Sequence, residues 1–206
     1  MKYDYHVLVE SARQKLYRKI RGFRDEFYDF KFAEFGCRRR LSREWQDYVV
    51  GELLATGHCV GTSNVYLAKG YNIKPCGTMA HEFIMCSGQG RHEYNPAYSN
   101  KFMMEAWTKE YGVQNGIALT DTITTDCFLR DFDLTYATLF SGVRHDSNDP
   151  YAWAEKMIAH YKSLGIDPTT KTLLFSDGLN FEEATQIKDY FAGKVKVAFG
   201  IGTYLS

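Results

Sequence analysis

The chain has no surplus of either charge: 25 lysines and arginines stand against 25 aspartates and glutamates over 206 residues. A neutral chain exerts no general pull on nucleic acid or anionic lipid, so any anion it takes must be held locally. Long apolar runs are also missing. The opening MKYDYHVLVESARQKL mixes acids and bases among short apolar pieces, unlike the apolar stretch of a secretory signal, and no later segment is apolar for long enough to span a bilayer. The five cysteines, Cys37, Cys59, Cys76, Cys86 and Cys127, form no Cys-x-x-Cys pair and are odd in number. That disfavours a zinc site and a disulfide framework and leaves reduced thiols of a cytoplasmic protein as the expectation. Low-complexity tracts, fixed-period repeats and Pro/Gly/Ser linkers are absent, and the length suits one good core, so a single unit spanning 1–206 is expected.

What is present is a βα rhythm. From about Val60, short β-rich runs alternate with amphipathic stretches: HCVGTS before NVYLAKGY, then IKPCGTMA, GIALTDT before TTDCFLRDF, and TLFSGVRHDS before a helix from about Pro150. Met157, Tyr161 and Leu164 recur along that helix, and Gly165 and Pro168 end it. KTLLFSDGL reads as the next strand. Phe181, Ala184, Ile187 and Phe191 line one face of the helix that follows, and KVKVAFGIGT is the last strand. Such alternation predicts parallel strands. The first part, 1–57, differs: a helix around Ala12, Leu16 and Ile20, a Phe-alternating run through Phe30, Phe32 and Phe35, and a helix capped by Ser42 that carries Trp45, Val49 and Leu53. It reads as a lead-in to the repeating units of 58–206.

Parallel β/α chains close into barrels or open into doubly wound sheets, and periodicity does not separate the two. Polar, Gly-rich clusters do. They stand at the end of nearly every strand: GTS at 61–63, GTMAHE at 77–82, TDT at 120–122, RHDS at 144–147, SDG at 176–178 and GIGT at 200–203. A barrel collects all of these on one face, so the expected class is α/β, an incomplete (β/α) barrel behind a helical and strand lead-in.

Each cluster also has a plain reading. GIGT is an ordinary turn or a phosphate cradle of backbone amides. In VRHDSNDP, Asp149 before Pro150 makes a helix start, which leaves Arg144 and Asp146 as site candidates; an arginine fork suits carboxylate or phosphate, and Asp146 suits magnesium or ribose hydroxyls. His145, next to Arg144 on a strand, points the other way and is assigned to packing. His81 is a nucleophile or acid/base candidate that Asp121 could orient. It is not half of an HExxH zinc site, since position 85 is methionine. GCRRR at 36–40 is either a solvated basic face or a gathering of guanidinium groups for a diphosphate.

Taken in order, EFGCRR, GTSNV, GTMAHE, LTDT, GVRHDSNDP, FSDGL and GIGT resemble the nicotinate phosphoribosyltransferase family from about Glu34 to Ser206. The resemblance implies a type II phosphoribosyltransferase barrel that joins nicotinate to phosphoribosyl pyrophosphate, giving nicotinate mononucleotide and pyrophosphate with coupled ATP hydrolysis. It implies that His81 is transiently phosphorylated and held by Asp121, and that Thr78 and Arg144 contact nicotinate. Arg38 would meet phosphate or diphosphate. Asp146, Asp177 and Gly178 would take the ribose and magnesium side, and Gly202 and Thr203 the 5′-phosphate. Ser63 is neutral where nicotinamide-using relatives carry an aspartate, which favours an acid as substrate. A homodimer is the implied assembly, with no nucleic-acid or membrane partner.

Departures set further expectations. Asn148 stands where the family pattern reads glycine, and asparagine is expected to take the left-handed conformation there. Tyr204 replaces an asparagine after GIGT. Members of the family are longer at both ends, so an N-terminal domain and the remainder of the barrel are expected to lie outside this sequence. The alternatives are a fragment that binds phosphorylated ligands without catalysis, one half of a split enzyme, or a nicotinamide or quinolinate phosphoribosyltransferase.

Overall fold

The computed structural model describes residues 5–25, 29–87, 95–114 and 116–205, and the chain divides into two compact units. The first comprises residues up to Gly77 together with Gly178–Gln186 and the end of the chain from Phe199; the second comprises Thr78–Asp177 and Ile187–Ala198.

In the first unit, helix α1 (Tyr5–Asp25) turns Leu16 and Phe23, seven residues apart, onto its buried side. Strand β1 (Phe32–Glu34) is buried along its whole length. Helix α2 (Arg43–Ala55) starts as expected at Ser42, whose hydroxyl accepts the Trp45 N–H at 3.0 Å, and it buries Trp45, Val49, Val50 and Leu53. Strand β2 (Cys59–Thr62) pairs parallel to β1 with Phe32 opposite Cys59 and Glu34 opposite Thr62. Helix α3 (Val65–Gly70) is capped by the Asn64 side chain, which accepts from Tyr66 and Leu67 N–H. The other edge of β1 takes the second half of strand β6 (Lys196–Ile201), with Ala33 opposite Gly200, so the order here is β2-β1-β6. Rings fill the core: Phe181 packs 4.5 Å from Phe23 and 5.2 Å from Phe32, and Phe30 lies 5.2 Å from Phe199. Burying several such rings is the principal stabilisation of a unit this small.

The run IKPCGTMA, expected as a strand, is not one. Over 73–80 the chain forms no ladder; Pro75 has no N–H to offer, and the backbone bond that ties the segment to β2 is Cys76 N–H to Thr62 C=O at 2.9 Å. His81 consequently heads a helix rather than following a strand.

The second unit opens with that helix, α4 (His81–Ser87), and with α5 (Ser99–Tyr111), where Phe83 meets Trp107 at 5.9 Å. Strand β3 (Ile117–Leu119), helices α6 (Thr125–Asp131) and α7 (Leu134–Leu139), strand β4 (Gly142–His145), helix α8 (Pro150–Ser163) and strand β5 (Thr172–Phe175) follow. Asp149 caps α8 through the Ala152 N–H at 2.6 Å, with Pro150 at the first helical position, as the sequence predicts. The strands are parallel, with Ala118 opposite Val143 and Val143 opposite Leu173. β6 adds its first half beside β5, where Lys196 N–H donates to Lys171 C=O at 3.1 Å. The neighbours β3, β4, β5 and β6 therefore follow chain order, the progression of a (β/α) barrel rather than of a sheet that reverses at a switch point. Helix α9 (Phe181–Tyr190) and β6 each run from one unit into the other. Trp153 and Phe191 cover one end of β5 at Phe175, while Phe128, Phe132 and Tyr161 form a second aromatic layer.

Candidate active site

Parallel strands send their C-terminal ends the same way, and in the second unit those ends carry the polar residues. Thr120 and Asp121 follow β3, Asp146 and Ser147 follow β4, and Ser176 and Asp177 follow β5. Alternation along β4 turns Arg144 toward this cluster and His145 into the core, where it is 3 % exposed and packs against Trp153 at 5.1 Å and Phe175 at 5.8 Å. Burial pushes the His145 pKa down, against smaller opposing contributions from the Asn148 carbonyl and nearby carboxylates. The strand ends are pinned to one another: Thr120 Oγ1 donates to Arg144 C=O at 3.1 Å and accepts from Trp153 Nε1 at 2.9 Å.

Every nitrogen of the Arg144 side chain is engaged. Nε donates to Ser176 Oγ at 2.7 Å. One terminal nitrogen donates to Thr78 Oγ1 at 2.8 Å and Met79 C=O at 3.4 Å, and the other to Asp146 Oδ1 at 2.8 Å. The guanidinium is thereby fixed in plane and angle before any ligand arrives. Ser176 Oγ also lies 2.7 Å from Asp146 Oδ1, bracing both members of the pair.

His81 sits at the mouth of the cluster, its side chain 36 % exposed, with Nε2 3.2 Å from Asp121 Oδ1 and 3.7 Å from Asp146 Oδ2. A carboxylate only accepts, so the ring proton at Nε2 is donated to Asp121 Oδ1, with Asp146 Oδ2 nearby but beyond hydrogen-bond distance; among the described residues no hydrogen bond reaches Nδ1. Ser147 Oγ donates to the second oxygen of Asp121 at 2.6 Å. A partly exposed imidazole beside two largely buried carboxylates is an arrangement that can serve a nucleophile or proton carrier. Asp146 Oδ1 is engaged by Arg144 and Ser176, whereas Oδ2, 3.7 Å from His81 Nε2, makes no hydrogen bond among the described residues and is the oxygen that could meet a cation. One free carboxylate oxygen fits magnesium whose other ligands are phosphate oxygens and water; a site closed by protein alone does not fit, since no group of three ligating side chains occurs among the described residues.

Ser63, Arg38, Gly178, Gly202 and Thr203 belong to the first unit. Ser63 N–H donates to Glu34 C=O at 2.9 Å, and Arg38 is exposed in a short turn at Cys37–Arg39. Gly178 takes a left-handed conformation (φ 58°), which favours glycine. Gly202 needs space instead: a Cβ there would lie 3.0 Å from the Phe35 carbonyl oxygen. Thr203 opens a short turn in which Tyr204 packs edge-on to Phe181 at 5.0 Å and under the Lys19 ammonium. Beneath Ser63 and Arg38 lies a network that the sequence reading passes over. The Glu34 carboxylate, 1 % exposed, accepts from Thr62 Oγ1 and Gly36 N–H, each at 2.5 Å, and from Gln46 Nε2 at 3.3 Å. Gln46 Oε1 in turn accepts from Arg40 and Asn64, both at 2.9 Å. A sign of this was present: Glu34 shares strand parity with the buried Phe30 and Phe32.

Residues 30–206 match the model of the nicotinate phosphoribosyltransferase (NAPRTase) family. The chain belongs to the nicotinate phosphoribosyltransferase family. It is 49 % identical to nicotinate phosphoribosyltransferase 1 of Pseudomonas aeruginosa over all of this chain and 53 % of that protein, and 50 % identical to a Pseudomonas putida nicotinate phosphoribosyltransferase over 98 % of this chain and 51 % of that one. Among solved structures, the Vibrio cholerae nicotinate phosphoribosyltransferase superposes with a TM-score of 0.87 at 42 % identity, over 94 % of this chain and 47 % of that one. The Porphyromonas gingivalis enzyme gives 0.85 at 38 %, over 99 % and 51 %. The chain thus spans about half the length of the NAPRTases it matches. Among the described residues no helix is long and apolar enough to cross a membrane.

Proposed function

We propose that this chain carries the phosphohistidine centre of a cytoplasmic nicotinate phosphoribosyltransferase that forms nicotinate mononucleotide and pyrophosphate from nicotinate and phosphoribosyl pyrophosphate with ATP hydrolysis. The observation that carries the reading is the partly exposed His81 imidazole, held at Nε2 by Asp121 with Asp146 nearby and with no hydrogen bond at Nδ1 among the described residues. Nδ1 attacks the terminal phosphorus of ATP, an N–P bond forms as the bond to ADP breaks, and the charge gained by the ring is spread onto Asp121. Magnesium held at Asp146 would neutralise phosphate charge.

Arg144, held flat by Ser176, Thr78 and Asp146, is assigned to the nicotinate carboxylate, with Thr78 beside it. Ser63, lacking charge, leaves a carboxylate unrepelled. Arg38, Asp177, Gly178, Gly202 and Thr203 take the phosphoribosyl and phosphate roles that the family pattern assigns them, and a homodimer is the proposed assembly.

The test is transfer of label from γ-labelled ATP to the purified chain, with nicotinate mononucleotide measured alongside. Acid-labile labelling abolished by His81→Ala is expected. Labelling without product would make the chain a portion that phosphorylates but does not complete transfer. Labelling that survives His81→Ala would overturn the assignment.

A further inference from the structure

We infer that Ser147 and Asn148 are positioning residues for His81, acting through Asp121 as a hydrogen-bond relay that holds the ring with its proton on Nε2. The inference deepens the proposed role of His81 and takes its significance from that reading, but it stands on contacts within the second unit.

The relay runs from Asn148 Nδ2 to Ser147 Oγ at 3.2 Å, from Ser147 Oγ to Asp121 Oδ2 at 2.6 Å, and from His81 Nε2 to Asp121 Oδ1 at 3.2 Å. Its polarity is determined by proton count. A serine hydroxyl has one proton, and beside a carboxylate that proton goes to the carboxylate. The hydroxyl oxygen then only accepts, so the group facing it from Asn148 is the amide NH₂ and not the amide oxygen. With both oxygens of Asp121 occupied, the carboxylate has no free rotation about its terminal bond, and Oδ1 stays aimed at Nε2. A ring that donates from Nε2 keeps its lone pair on Nδ1.

The backbone sets the relay from below. Asn148 has φ 72°, a left-handed conformation that asparagine accepts better than most residues with a side chain, and its carbonyl lies 3.2 Å from Nε2 of the buried His145. The turn between β4 and α8 is thus clamped by His145 at one side and by the Asp149 cap at the other, and it presents Ser147 and Asn148 together toward Asp121. Glycine would take the same backbone without the amide, whereas aspartate would keep the shape but supply a second acceptor for the one serine proton.

That difference gives the experiment. The full 206-residue chain is labelled with ¹⁵N-histidine, and the His81 tautomer is read at one alkaline pH by long-range ¹H–¹⁵N correlation, with no ATP present. The native ring is expected as the Nε2–H tautomer with a slowly exchanging ring proton. Ser147→Ala should lower the ratio of Nε2–H to Nδ1–H about threefold or more, the effect of losing one charge-assisted hydrogen bond at one remove. Asn148→Gly should lower it about twofold, and Asn148→Asp should match Ser147→Ala because the serine proton is drawn off Asp121. Thermal midpoints and backbone amide spectra establish that each variant is folded. Glycine at a left-handed position keeps the turn, so Asn148→Gly remains informative if Ser147→Ala is not folded. An unchanged His81 tautomer in the folded variants, or equal effects of Gly and Asp at 148, would overturn the relay. The expected tautomer series in a chain that takes no label from ATP would retain the relay and remove the phosphohistidine reading instead.

Discussion

Replacing Glu34 by glutamine tests whether the buried network of the first unit is held by charge. The substitution keeps volume and shape, so no cavity opens, and the change is confined to the loss of one acceptor and the gain of an NH₂. Two of the carboxylate's contacts are short and charge-assisted, from Thr62 Oγ1 and Gly36 N–H at 2.5 Å each, while Gln46 contributes a longer one at 3.3 Å. Hydrogen bonds to a charged group are worth about 1.5–3 kcal/mol each. Glutamine neutralises all of them and sets its NH₂ against one of the two short donors. Part of that loss is offset because an uncharged side chain costs less to bury, which leaves about 3 kcal/mol of destabilisation. The assay is urea unfolding combined with native-state hydrogen exchange. Protection of amides in 32–36 and 59–63 should fall by the same free energy, while amides of 142–145 in the other unit serve as the internal reference. A change below about 1 kcal/mol would refute the argument, and so would equal loss of protection in β4, because the effect would then not be local to Glu34.

Other perturbations test other parts of the structure. The His145 pKa is lowered in the folded state, so the unfolded chain binds more protons below its ordinary value near 6.5; the resulting stability is complete above that pH and is lost as pH falls beneath it. Unfolding free energy should decline between pH 7 and 5.5 by up to about 1.4 kcal/mol per pH unit more in the native chain than in His145→Gln. Gly142→Ala drives a Cβ into the Thr172 carbonyl of the neighbouring strand, and a loss of about 3 kcal/mol or more is expected in thermal or urea unfolding. Asp149→Ala removes the cap of α8 and should cost about 1 kcal/mol, recovered in large part by Asp149→Ser.

The sequence-based expectations held where one local rule decides the outcome. Ser42 and Asp149 cap the helices they precede, Arg144 and His145 face opposite ways on β4, and Asn148 adopts the left-handed backbone. Each of these depends on a residue and its near neighbours. The IKPCGTMA run failed for a related reason. Its apolar pattern resembles a strand, but Pro75 withholds a donor and one backbone bond, Cys76 N–H to Thr62 C=O, joins the run to β2, so the pattern without a ladder gave irregular chain. Helices α5 and α7 carry no motif in the sequence, and α4, which places His81, begins at the end of GTMAHE where the sequence predicts a strand end.

The partners of the site residues were harder to see than the residues themselves. His81, Asp121, Arg144 and Asp146 stand in recognisable strings as site candidates, whereas Ser176 stands in FSDGL with no role assigned to it from the sequence. Its hydroxyl touches Arg144 and Asp146, thirty or more positions earlier in the chain. Sequence spacing locates a hydroxyl along the chain, but strand order decides that the end of β5 stands beside the end of β4. That adjacency is what makes Ser176 a brace for the guanidinium. Glu34 follows the same logic one layer down: its parity with Phe30 and Phe32 marks it as buried, and a buried carboxylate must be answered by donors. The identity of those donors, Thr62 from β2, Gly36 from the following turn and Gln46 from α2, follows from three elements meeting at one strand.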